Sequence, residues 1–99
     1  MADIQSFRNR LKLKDASARK LAIFDLQRVA VADRDAATEI LLAHLQNETV
    51  EALRHQILEL LIEWKGKQIT PALEQLATGP HPALAAEAQS ALDYLQSLQ

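Results

Sequence analysis

Three long segments of this 99-residue chain carry the same apolar stripe, and that recurrence constrains the fold more than any other feature. Aligned on the residue that opens each stripe, the first reads Ala18, Ala22, Leu26 and Val29. The second reads Leu53, Ile57, Leu60, Leu61 and Trp64, and the third Leu84, Ala88, Ala91, Leu92 and Leu95. Residues three and four apart share one face of an α-helix, so each set is a seam that must be buried. The openers stand 35 and then 31 residues apart, the period of stacked helical hairpins. Asp25 departs from the pattern, occupying the position that Leu60 and Ala91 hold in the other two segments.

Helix breakers are scarce. Four of the two glycines and three prolines gather at Gly66, Gly79, Pro80 and Pro82, and the intervening stretches are rich in Ala, Leu, Glu, Gln, Lys and Arg. Capping chemistry collects at Lys14–Asp15, Asp33–Asp35, Asn47–Thr49, Gly66 and Gly79–Pro82, and five breaks make six helices. Segments 3–13, 35–46 and 69–78 are short, with stripes of their own, whereas 16–31, 49–65 and 82–98 are longer. Gly66 and Gly79 are expected to end helices with φ > 0, and Thr70 before Pro71 offers a helix start, with Lys67 as an alternative. The expected fold is all-α: about three antiparallel helix pairs, at approximately 1–33, 34–66 and 67–99, in one domain. One hairpin cannot bury both of its faces, so neighbours must stack. A closed bundle around a single core is the alternative.

The stretch DASARKLAIFDL, residues 15–26, resembles the second-helix motif of HEAT repeats: an acidic turn residue, arginine four positions later, then an alanine-leucine stripe. ETVEALRHQILELL, residues 48–61, and PHPALAAEAQSALDYL, residues 80–95, are similar in shape. The short period is most similar to the bacterial HEAT-like repeats first named from phycobilisome lyases. The resemblance implies a right-handed superhelix whose second helices line one face, used for holding other proteins. Glu87 stands near where a third arginine is expected, and proline is missing from the first two turns, so the third hairpin reads as a cap.

Signatures of catalysis are not found. His44, His55 and His81 are 11 and 26 residues apart, which fits no HExxH pattern, and the His-Glu pairs of di-iron HEAT-like hydroxylases are absent. There is no cysteine, no serine elbow and no glycine-rich phosphate loop. Glu59 and Glu63, at i and i+4, read as a solvated helix face. No enzyme activity, cofactor or metal is expected. With no apolar run of membrane-spanning length and no secretory leader in MADIQSFRNR, the expectation is a cytoplasmic protein without membrane contact.

Charge is unevenly placed. Residues 1–34 hold eight cations against four acids, a net +4, and residues 35–99 hold three against nine, a net −6. A field polarised in this way steers a charged partner to one end. Positions two, six and ten residues after each stripe opener should project from the shared second-helix face: Lys20, Phe24 and Arg28, then His55, Glu59 and Glu63, then Ala86, Ser90 and Tyr94. Aromatics and arginine anchor interfaces, which makes Phe24, Arg28 and Tyr94 the expected anchors for a protein or peptide partner. The bland reading of Phe24 is that it widens the core stripe with Leu21, and Trp64 reads as a core plug. Leu98 would mark an exposed edge and a homodimer contact through the last helix. Two further roles remain open: an accessory subunit of a modifying enzyme, resembling a bilin lyase, and nucleic-acid binding through Arg8, Arg10, Lys12, Lys14 and Arg28. The latter is disfavoured because cations crowd one end.

Overall fold

The computed structural model describes residues 4–98. It is all-helical, with six α-helices and no strand among the described residues: α1 Ile4–Arg10, α2 Ala16–Leu26, α3 Arg34–Leu45, α4 Glu51–Trp64, α5 Ile69–Ala77 and α6 Pro82–Ser97. A 3₁₀ turn, Val31–Asp33, leads into α3. None of the described helices is long and apolar enough to cross a membrane.

Some breaks have a local cause, though not always the expected one. The Asp15 carboxylate accepts the Ser17 N–H at 2.9 Å, satisfying an orphan donor at the start of α2. His81 caps α6: its Nδ1 accepts the Leu84 N–H at 3.4 Å, and Pro82 follows at the first helical position. At the end of α4 the left-handed residue is Lys65, with φ 53°, and neither glycine has positive φ, which corrects the roles assigned to Gly66 and Gly79. Gly79 answers a different need: a Cβ there would lie 3.3 Å from the Leu76 carbonyl oxygen, to which its own N–H is bonded. α5 begins at Ile69, ahead of Pro71, so Thr70 is inside the helix rather than its cap. α2 ends at Leu26, five residues before the expected limit, in a stretch with no glycine or proline to mark the stop.

Lys65 gives a direct test. A side chain in the left-handed region costs about 1–2 kcal/mol that glycine does not incur, partly offset by glycine's greater unfolded-state freedom. Lys65→Gly is therefore expected to stabilise the chain by about 0.5–1 kcal/mol in urea unfolding; a loss of stability would show that the αL conformation is not what the residue adopts.

Helices pack as hairpins, α1 on α2, α3 on α4 and α5 on α6. Between hairpins, α1 meets α3, and α4 meets both α2 and α6. One apolar cluster runs through all six helices, from Phe7 and Leu11 through Ile23, Leu41, Ile57 and Leu61 to Leu73 and Leu92. Apart from Ala18, which lies outside the core, the stripes line it as expected but are wider: Ile23 and Leu58 are buried as well, because a second helix must cover both its hairpin partner and its neighbours. Trp64 is half-buried at the core edge with the Arg34 guanidinium 5.9 Å from its ring centroid, so it flanks the core instead of plugging it. Phe24 and Leu21 are both exposed, which removes the reading that they extend the seam. The chain is compact, with a radius of gyration of 12.8 Å and extents of 35 × 28 × 17 Å.

Candidate functional site

All seven residues nominated for partner contact are solvent-exposed: Lys20 and Phe24 on α2, Arg28 in the turn just past its end, His55, Glu59 and Glu63 on α4, and Tyr94 on α6. The structure brings four of them together. A shallow cleft of about 340 Å³ between α4 and α6 is lined by His55, Leu58, Glu59, Ile62, Ala86, Glu87, Ser90 and Ala91. A second, of about 780 Å³, is lined by Glu59, Ile62, Glu63, Lys65, Tyr94 and Leu98. The two share Glu59 and Ile62, so they form one groove along the α4–α6 seam, with Leu58, Ile62 and Ala91 beneath an acidic and aromatic rim. It exists because small residues on α6, Ala86, Ser90 and Ala91, face the bulkier α4. Lys20, Phe24 and Arg28 do not line it. Arg28, in the turn after α2, lies instead 5.3 Å from the Phe24 ring centroid, a cation–π pair at the exposed end of that helix.

The cations of the first third separate in space. Arg10 turns to Asp25 of α2, Nη2 to Oδ2 at 2.8 Å, which explains the acid in the first stripe: it stands at the hairpin edge, one-third exposed, where apolar packing ends. Arg8, Lys12 and Lys14 line a cleft of about 530 Å³ together with Arg19, His44, Asn47 and Thr49. Three of the four N-terminal cations thus reach one cleft: Arg8 from α1, and Lys12 and Lys14 from the turn that follows it.

The largest feature that pattern reading missed is polar and buried. Glu48, in the turn between α3 and α4, is 1% exposed. Its carboxylate accepts from Arg19 Nε at 2.9 Å and Nη2 at 3.0 Å, from the Val50 N–H at 3.1 Å, and from His44 Nε2 at 2.7 Å. An ionised carboxylate only accepts, so the His44 proton sits on Nε2. Arg19 Nη1 also donates to the Leu13 and Lys14 carbonyls, both at 2.9 Å, closing the turn of its own hairpin. The pattern then repeats. Arg54, 35 residues after Arg19, donates from Nη1 to the Glu48 carbonyl at 3.0 Å, and from Nε and Nη2 to Glu87 of α6 at 2.7 and 3.2 Å. Each arginine therefore clasps the turn six residues before it and a carboxylate of the next hairpin. The corresponding position of the third hairpin is Ala85, so the ladder ends there, and Glu87 is its last acceptor rather than a misplaced arginine.

Burial alone would raise the Glu48 pKa, but the hydrogen bonds from Arg19, His44 and the Val50 N–H outweigh it and lower the pKa to about 2. The Glu48 hydrogen bond raises the Arg19 pKa against the opposing effect of burial, and Glu87 does the same for Arg54. Glu48, Arg19 and Arg54 are thereby favoured in their charged, mutually satisfied forms, which suits a structural ladder.

The only grouping of metal-ligating side chains among the described residues is Glu51, His55 and Glu87, at the outer edge of the α4–α6 seam. Spacing between histidines had not revealed it, because two of its three members are carboxylates. No family model matches this chain, and neither a curated protein nor a solved structure was found similar to it.

Proposed function

We propose that this chain is a non-enzymatic interaction module: a right-handed stack of three helix pairs, resembling HEAT repeats, that receives a protein or peptide on the face lined by α2, α4 and α6. Contact between successive second helices favours stacking, and a shortest dimension of 17 Å suits two helix layers packed about 8–10 Å apart. The observation that carries the reading is the α4–α6 groove, where an apolar floor lies under exposed Glu59, Glu63 and Tyr94. Phe24 on α2 and Arg28 just past its end extend the same set of repeat positions by one hairpin. A partner segment that lays apolar side chains on Ile62 and Ala91 meets acids along the rim, so a peptide with flanking cations fits best. Recognition uses surfaces already formed, with the side chains beneath them packed in the core, and little refolding is needed.

Affinity capture from the native host with the intact chain, and in parallel with a Phe24→Ala, Glu59→Ala variant, tests this. The expected result is a partner that co-purifies with the intact chain and is depleted at least about tenfold by the variant, at equal helicity. Equal recovery by both chains would place the binding surface elsewhere.

A further inference from the structure

We infer that Glu51, His55 and Glu87 form a binding site for a divalent transition-metal ion of the zinc class, one that joins the second hairpin to the third. The ligand atoms of the three residues all lie within 4.8 Å of one another. His55 Nε2 is 3.8 Å from Glu51 Oε1 and 3.5 Å from Glu87 Oε2. Both separations exceed the roughly 2.7–3.2 Å of an N–H···O hydrogen bond, so the groups converge without bonding one another. A tetrahedral ion with bonds of about 2.0–2.1 Å sets its ligand atoms about 3.3–3.4 Å apart, because the edge of a tetrahedron is about 1.6 times the centre-to-vertex distance. The two separations to His55 lie within about half an ångström of that edge, while the carboxylates of Glu51 and Glu87, within 4.8 Å of each other, close onto the ion by rotation of the exposed Glu51 side chain.

The three ligands differ in how firmly they are held. Glu51 and His55 sit at i and i+4 on α4, one helical turn apart, with side chains 72% and 52% exposed, so small rotamer changes suffice to bring them onto an ion. Glu87 is the fixed member: its side chain is 12% exposed, and Arg54 grips both carboxylate oxygens. Arg54 thereby does for this carboxylate what an outer-shell partner does at metal sites, orienting the ligand, while its charge tempers the affinity. With His55 neutral, two carboxylates and one guanidinium leave a net charge of −1, which favours a cation. Hard ions such as Ca²⁺ and Mg²⁺ take six or more oxygens, whereas one imidazole and two carboxylates suit zinc and its neighbours. The fourth position faces solvent and takes water.

The test is a titration of the full chain with Zn²⁺ alone in chelator-free buffer, read by calorimetry and by thermal unfolding, with Co²⁺ as a spectroscopic substitute. Expected are one ion per chain, a rise in Tm, the intense visible absorption of tetrahedral Co²⁺, and at least about a tenfold loss of affinity in both H55A and E51Q. Both substitutions are on the surface and should leave helicity unchanged, which circular dichroism checks. An absence of binding, or binding that H55A leaves intact and that therefore belongs to other side chains such as His44 or His81, would overturn the assignment.

Discussion

The Glu48→Gln chain is expected to lose about 3–5 kcal/mol of unfolding free energy, the cost of breaking a buried ion pair from one side. The carboxylate is 1% exposed and accepts four hydrogen bonds, two of them from Arg19. An amide cannot accept from both arms of the guanidinium, and its NH₂ meets a donor, so the Arg19 charge is left in the interior with the Leu13 and Lys14 carbonyls and a neutral amide oxygen in place of its counter-charge. Small domains have about 5–15 kcal/mol in total, so the loss should be plain in a urea titration, and a cost below about 1 kcal/mol would refute it. Replacing both partners with methionine should cost less than the single change, because no unpaired charge remains.

The same carboxylate makes stability depend on pH in a defined direction. Its pKa is lowered in the folded chain to about 2, from an ordinary value of 4.5. The stabilisation is fully present above the unfolded value and is lost as pH falls from about 4.5 through about 2. At about 1.4 kcal/mol per unit, it amounts to about 3 kcal/mol. Acid unfolding of the intact chain should fall in that window, and Glu48→Gln should flatten the slope across it. An unchanged slope would assign the acid sensitivity to other carboxylates.

The second large effect is expected at Arg54. Arg54→Ala removes both donors to Glu87 and the donor to the Glu48 carbonyl, leaving a carboxylate that is 12% exposed without its cation. A cost of about 3 kcal/mol is expected, and its location is more informative than its size. Arg54 is the polar link from the second hairpin to the third, so α5 and α6 should lose hydrogen-exchange protection ahead of α1 to α3. Uniform loss along the chain would mean that apolar contacts alone couple the hairpins. Arg10→Ala provides the contrast: its pair with Asp25 is about one-third exposed on both sides, and such pairs contribute about 1 kcal/mol or less.

These two clusters show where pattern reading stops. The arginine in DASARKLAIFDL was visible as part of a motif, but its partner was not, because Arg19 and Glu48 are 29 residues apart and nothing local distinguishes Glu48 from a solvated acid. Glu87 looked like a departure from the repeat, yet it completes the clasp begun by Arg54, 33 residues earlier. The candidate surface was legible to the extent that exposure follows helix phase: all seven nominated residues are on the outside. That four of them border a single groove depended on how α6 settles against α4.

Six helices, five breaks and three apolar seams follow from the chain itself, since hydrogen bonding within a helix and the 3.6-residue period act over a few neighbours. The left-handed residue at the end of α4, the early stop of α2, the sharing of the N-terminal cations between Asp25 and the α1–α3 cleft, and the Arg–Glu ladder were decided by packing. Each depends on groups brought together only when one hairpin lies against another or a turn closes over the core. Burial then turned an ordinary surface acid into the acceptor of four hydrogen bonds.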